Sequence, residues 1–147
     1  MNIQLLRADI NSLKVDALVA PADAKASERP SEGKGRAVVV TGGNLLARFI
    51  IHVPVPDVAE ADADAKLRGA TLAALERAEE LAIASIGLPA IATDPFGFSI
   101  ERCARVMLEA TLQHRSRARS LQRAVFCLFG AEEYAVFERA LGELNLE

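Results

Sequence analysis

The chain has 147 residues, a length that suits one folded domain, and we expect residues 1–147 to form a single unit. Its residues are 51% apolar and its formal charge is -3, which supports an ordinary core and makes nucleic-acid binding over a general basic surface unlikely. No run approaches the ~20 apolar residues that span a bilayer, and the first ten lack a secretory pattern. We therefore expect a cytoplasmic protein that makes no membrane contact.

Apolar runs predict short strands along the chain, and in the second half these alternate with helices. Pro21 is expected to end the second strand, and Pro54 the fourth. This order favours an α/β fold with a mixed or parallel sheet covered on both faces, as three α/β/α layers. The polar segment 23–35 is expected to be a loop. The predicted strands are 3–8, 15–20, 37–40, 49–53, 86–91 and 124–129, and the predicted helices are 61–83, 100–115 and 132–144.

Several side chains receive a predicted environment from the same periodicity. Cys103 and Cys127 fall within apolar patterns, which indicates free buried thiols and no disulfide, metal or cofactor. His52 is expected in the core. The helical pattern of 61–83 places Glu79 on the polar face, and His114 is expected at an exposed helix end.

The segment 85–98, SIGLPAIATDPFGF, predicts a buried strand that enters a Pro/Gly turn before a helix capped by Ser99. Such a unit places backbone N–H groups and a positive helix end at the carboxyl edge of a sheet, where α/β proteins bind anions. The segment resembles the second phosphate loop of macro domains, S-x-x-x-P-x-[IL]-x-T-G-x-[FY]-G-[FY]. Asp94 stands where that pattern has its first glycine. The matching residues are Ser85, Pro89, Ile91, Thr93, Phe96, Gly97 and Phe98.

Weaker matches in the right order extend this resemblance over most of the chain. Residues 8–11 resemble the family's G-D-I-T, and 15–23 resemble V-D-A-[IL]-V-N-A-A-N. Residues 35–53 resemble G-x-A…G-x-N-L…I-I-H-x-V-G-P, and 125–134 resemble the terminal strand and helix start. The family's glycine-rich first loop, G-G-G-V, is replaced by the polar stretch 25–34. The resemblance thus implies a macro fold whose ligand cleft lacks one wall.

The resemblance also implies a nucleotide-binding set. Asp9, beside Ile10, matches the acidic residue that accepts a hydrogen bond from the adenine amino group, although an Asp here also suits turn capping. Phe129 stands where the family places a ring against adenine, or it is a core residue ending a strand. Asp94 would repel phosphate. The turn that would hold diphosphate through its backbone consists of Thr93, Asp94, Pro95, Phe96, Gly97 and Phe98.

The leading functional hypothesis is a divergent macro-like module that binds ADP-ribose or a related adenine nucleotide weakly and without efficient hydrolysis. Asp23 replaces the family's last asparagine and is the candidate catalytic base, but nothing in the sequence positions a distal ribose for it. The alternatives are a structural or interaction protein without a nucleotide pocket, and a slow hydrolase of ADP-ribose esters. The arginines of 115–123 suit a solvated connector or, alternatively, a patch for RNA or an acidic partner. The oligomeric state stays open, a homo-oligomer included.

Overall fold

The computed structural model describes residues 1–23, 38–41 and 47–145. Most of the polar loop predicted at 23–35 lies outside these residues, as do the family matches at 35–37 and 42–45.

One six-stranded sheet forms the centre of the fold, in the order β1-β6-β5-β2-β4-β3. All pairs of neighbouring strands are parallel except β3 and β4, which are antiparallel. The prediction of a mixed α/β sheet is therefore confirmed. The strands are β1 (Asn2–Leu6), β2 (Ala17–Asp23), β3 (Val38–Thr41), β4 (Phe49–Val55), β5 (Ser85–Leu88) and β6 (Arg123–Cys127).

Three helices pack beside one another on one face of the sheet: α1 (Ala63–Glu80), α2 (Ile100–Arg115) and α3 (Ala131–Asn145). Alternate strand residues such as Ile51, Ile86 and Phe126 point into the core beneath them. On the opposite face, Leu18 and Val125 belong to a second, smaller apolar cluster. Partly buried residues of the segment that includes the short 3-10 helix Ile10–Ser12 pack against this cluster.

Two strands continue through the prolines that were expected to end them. β2 continues through Pro21 to Asp23, and β4 continues through Pro54 to Val55. Among the described residues, β2 pairs with both β4 and β5 up to Leu18, and with β4 alone after it. Among these residues, β4 likewise pairs with both β2 and β3 up to His52, and with β2 alone after it. A proline that lacks an N–H is tolerated where its strand has a neighbour on one side only. β5 is shorter than predicted, because the chain turns after Leu88.

The ends of the helices follow local chemistry. α2 begins as predicted, since the Ser99 side chain accepts a hydrogen bond from the Arg102 backbone N–H at 3.2 Å. α1 is shorter than 61–83. It stops at Glu80 because Ala82 adopts a positive φ of 55°, which a helix cannot continue.

Two predicted environments were wrong. Glu79 and His114, both expected on exposed surfaces, are buried, with 6% and 1% of their surfaces accessible. The packing of α1 against α2 brings them together, with His114 Nε2 at 2.7 Å from Glu79 Oε2. Glu79 also accepts hydrogen bonds from the backbone N–H groups of Arg119, Ser120 and Leu121. The carboxylate therefore fixes the turn that leads from α2 into β6.

Three residues were expected to be buried, and the structure places each of them. Cys103 and Cys127 are buried free thiols, as expected. His52 is only partly buried, because it lies on β4 between the buried residues Ile51 and Val53 and its side chain points away from theirs.

Candidate functional site

The carboxyl ends of β1, β6, β5 and β2 share one edge of the sheet, because these four neighbouring strands are parallel. We call it the carboxyl edge. Asp9 follows β1, Phe129 follows β6, and the turn 93–98 follows β5. Asp23 is the last residue of β2. The fold therefore brings the sequence-predicted residues to one region from four separate stretches of chain.

The turn 93–98 is built by its own backbone. Gly97 N–H donates to the Thr93 carbonyl at 2.7 Å, and Phe98 N–H donates to the Ala92 carbonyl at 3.1 Å. Gly97 has a φ of 90°, a conformation that glycine adopts without steric cost. The N–H groups of Thr93, Asp94 and Phe96 have no hydrogen-bond partner among the described residues. They are the donors of this turn that remain available to an anion.

A neighbouring loop supports the turn through a contact that no motif in the sequence predicts. Val58 N–H donates to the Phe96 carbonyl at 2.9 Å. A β-carbon added at Gly97 would lie 2.8 Å from the Val58 side chain, so the two loops approach closely. The glycine is therefore needed both for its backbone conformation and for this approach.

The side chains of the turn divide into buried and exposed groups. The Phe98 ring lies in the core with the Arg102 guanidinium 5.0 Å from its centroid, so only the backbone of Phe98 is placed to meet a ligand. Phe96 and Thr93 are partly buried. Asp94 and Pro95 are exposed, and the Asp94 carboxylate therefore adds negative charge to the surface of the turn.

The ends of β1 and β6 form the other side of the carboxyl edge. Phe129 is 76% exposed, which excludes the alternative that it is a core residue. Ser12 ties the turn after β1 by donating from its N–H and its hydroxyl to the Asp9 backbone carbonyl, at 3.0 and 2.7 Å. The Cys127 thiol donates to the Ala8 carbonyl at 3.1 Å. Burial raises the pKa of the Cys127 thiol, and the negative charge of Asp9 raises it further.

Within residues 1–23, 38–41 and 47–145, no group of three or more His, Cys, Asp or Glu side chains is arranged to hold a metal ion. In the same ranges, no helix has both the length and the apolar composition needed to cross a membrane.

Comparisons with known proteins identify the family. The profile of the Macro domain matches residues 15–107. A macro domain-containing protein of Caldanaerobacter subterraneus is 32% identical over 113 residues, which cover 76% of this chain and 64% of that protein. An uncharacterised protein of Sulfolobus acidocaldarius is 36% identical over 105 residues, covering 71% of this chain and 56% of that protein. The chain thus spans about half the length of several curated relatives, 45% in the case of a mycobacterial protein.

Solved structures agree on the fold. A mutant macrodomain of Oceanobacillus iheyensis with ADP-ribose superposes with a TM-score of 0.87 at 19% identity, covering 97% of this chain and 93% of that one. The same macrodomain with ADP gives 0.86 at 20% identity, with 97% and 90% covered. The chain belongs to the macro-domain family.

Proposed function

We propose that this domain binds ADP-ribose or a related adenine nucleotide at the carboxyl edge, weakly and without efficient hydrolysis. The observation that carries the proposal is the exposed Phe129 ring just after β6, the strand that pairs directly with β1, which Asp9 follows. A ring that is 76% exposed is accessible for stacking against a planar base. The solved structures of the Oceanobacillus iheyensis macrodomain with ADP-ribose and with ADP support this choice of ligand.

Adenine recognition rests on two interactions in this proposal. The base stacks on Phe129, an interaction that contributes about 1–3 kcal/mol per base. The Asp9 carboxylate accepts a hydrogen bond from the exocyclic amino group of the base. Asp9 and Phe129 follow two neighbouring, directly paired strands, so both lie at the same end of this strand pair.

Weak diphosphate binding follows from the turn 93–98. Its free N–H groups at Asp94 and Phe96 attract an anion, but the exposed Asp94 carboxylate repels the same anion. Two unit charges 4 Å apart repel by about 1 kcal/mol in water and about 4 kcal/mol at an effective dielectric constant of 20. This is comparable with the ~1.5–3 kcal/mol gained from a hydrogen bond to a charged group. The polar stretch 25–34, without G-G-G-V, supplies no replacement for the family's first loop.

If affinity comes from the adenine side, ADP should bind nearly as tightly as ADP-ribose, and Phe129→Ala should weaken both by about five- to a hundredfold. Calorimetric titration of the two ligands into both proteins measures this. Leu6→Ala is the matched control, because Leu6 is the other exposed large apolar residue of the described chain and also ends a strand at this edge. ADP-ribose binding a hundredfold tighter than ADP would contradict the adenine-side proposal.

Hydrolysis is expected to be absent or very slow. Asp23 replaces the amide of the family motif, and the residues that would position a distal ribose lack the family's glycine pattern. Release of ADP-ribose from a mono-ADP-ribosylated protein should therefore stay near the rate without enzyme, in a chromatographic assay run beside an active macrodomain. Turnover close to that of the active enzyme, and lost in Asp23→Ala, would show that the domain is a hydrolase.

A further inference from the structure

The edge of the sheet opposite the candidate site carries cations without ion-pair partners. This amino edge comprises the starts of the parallel strands β1, β2, β4, β5 and β6, with the turns that lead into them, including 116–122. Six exposed cations lie along it, and none is within 4.0 Å of a carboxylate of the described chain: Lys14, Arg48, Arg115, Arg117, Arg119 and Arg123.

Cations on the helices away from this edge are mostly paired. Arg68 contacts Glu109 at 2.7 Å, and Arg102 contacts Asp64 at 2.5 Å. Lys66 contacts Glu60 at 3.1 Å. The charge of the amino edge is therefore uncompensated, although the chain as a whole carries a net charge of -3.

The acidic groups at the amino edge are occupied by other contacts. The Asp16 carboxylate accepts hydrogen bonds from the N–H groups of Ala84 and Ser85, at 3.0 and 3.2 Å. Glu79 is buried beneath the turn 116–122, and Glu80 contacts Arg77 at 2.9 Å. The six cations consequently form a surface available to an external anion.

Backbone hydrogen bonds make this surface continuous. Arg48 N–H donates to the Asp16 carbonyl at 3.0 Å, and Asp16 N–H donates to the Ser85 hydroxyl at 2.9 Å. Arg123 N–H donates to the Ala84 carbonyl at 3.1 Å. Arg48 and Arg123 thus lie at the starts of β4 and β6, three strand spacings apart, or ~14 Å.

The turn that carries most of the arginines has a fixed backbone. Glu79 holds the N–H groups of Arg119, Ser120 and Leu121, and Arg117 N–H donates to the His114 carbonyl at 2.7 Å. A ligand bound here would order side chains but not backbone, which reduces the entropic cost of binding.

We propose that the amino edge binds an Asp/Glu-rich segment of a partner polypeptide. Five of the six cations are arginines, whose planar guanidinium groups match carboxylates in a bidentate geometry. The exposed large apolar side chains of the described chain, Leu6 and Phe129, both lie at the carboxyl edge. At the amino edge, the Phe49 ring is partly buried and has the Arg48 guanidinium 5.3 Å from its centroid, so the described part of the amino edge offers no exposed ring on which a single-stranded nucleic acid could stack. An acidic polypeptide needs only the cations.

Fluorescence anisotropy with a labelled peptide of about ten glutamates, ~33 Å when extended, tests the proposal in the whole chain. Arg117→Gln/Arg123→Gln should weaken binding by about three- to thirtyfold at low salt, since each exposed charge pair contributes modestly. Arg7→Gln/Arg139→Gln removes the same charge from unpaired positions elsewhere, and it should leave the affinity within about twofold. Affinity should fall as salt rises, and less steeply in the first variant.

Three results would overturn the proposal. One is an equal loss of peptide affinity in both double variants, which would mean that the peptide is attracted to the overall charge of the protein. Another is competition by ADP, because the nucleotide is proposed to bind the opposite edge. The third is binding of a single-stranded RNA of equal charge through Arg117 and Arg123 while the glutamate peptide does not bind, which would identify the edge as a nucleic-acid surface. Circular dichroism of both variants shows whether they are folded.

Discussion

Glu79→Ala should lower the free energy of unfolding by about 3–5 kcal/mol, the usual cost of removing one partner from a buried, hydrogen-bonded charge network. The Glu79 carboxylate accepts hydrogen bonds from Ser120 N–H at 2.7 Å, from the Ser120 hydroxyl at 3.0 Å and from Leu121 N–H at 3.2 Å, and it contacts His114 at 2.7 Å. Without the Glu79 carboxylate, these buried donors lose their acceptor, and each unsatisfied donor costs about 1–3 kcal/mol of stability. Urea unfolding of the two proteins measures the difference.

The matched control for this prediction is Glu80→Ala, one residue further along α1. Glu80 is exposed and contacts only Arg77, at 2.9 Å across one helical turn. Removing the Glu80 carboxylate should lower the free energy of unfolding by no more than about 0.5 kcal/mol. Equal effects of the two substitutions would show that helix α1, and not the buried carboxylate, governs stability at this position.

The hydrogen bonds of Glu79 also predict that the stability of the fold depends on pH. Burial opposes ionisation of Glu79, but the hydrogen bonds from His114 and from the N–H groups of Ser120, Leu121 and Arg119 outweigh it and lower the pKa from 4.5 to about 2. Below about pH 5 the unfolded chain therefore binds a proton that the folded chain does not, and stability falls as pH falls toward 2. The contribution lost is about 3 kcal/mol. Glu79→Gln should lack this part of the pH dependence.

Asp94→Gly should strengthen ADP-ribose binding by about 1–3 kcal/mol, or roughly five- to a hundredfold. The substitution removes an exposed negative charge from the turn 93–98 and gives the backbone more freedom to approach a phosphate. The N–H groups of residues 94 and 96, which have no partner among the described residues, would then meet the diphosphate without repulsion. Calorimetric titration at about 0.05 M and about 0.5 M salt measures the gain and its screening.

Two further variants separate the causes of this gain. Asp94→Asn removes the charge but not the β-carbon, so the part of the gain that it reproduces is electrostatic and should shrink at high salt. Glu138→Gln removes an exposed charge from α3 and should leave affinity unchanged. If Asp94→Gly gives no improvement at either salt concentration, the missing first loop limits binding, and an interaction module without a nucleotide site becomes the better hypothesis.

Short sequence motifs predicted correctly those elements whose bounds depend on residues a few positions apart. The helix 100–115 has the predicted bounds because its N-cap, Ser99, acts on a residue three positions later. The turn after β5 was predicted from Pro and Gly, whose backbone preferences need no partner. The predicted end of β2 was wrong because a proline stops a strand only where a neighbouring strand needs its N–H, and past Leu18 β2 pairs with β4 alone in the described part of the chain.

Residues that act through distant partners could not be placed from the sequence. Glu79 and His114 are separated by 35 positions, and a periodicity argument assigns a glutamate to the solvent because it cannot include the histidine. The amino edge could not be predicted from the sequence for the same reason. The arginines of 115–123 are close in sequence, but Arg48 joins them only through the order of the strands.

The sequence by itself determined the family, the α/β class and the residues that lead into the carboxyl edge, because motifs and turn chemistry depend on neighbours a few positions apart. Only the tertiary structure decided that Phe129 is exposed, that Glu79 is buried and that the unpaired cations collect along the opposite edge. The physical reason is that burial and charge compensation are properties of surfaces that meet, and these surfaces come from segments far apart in the chain.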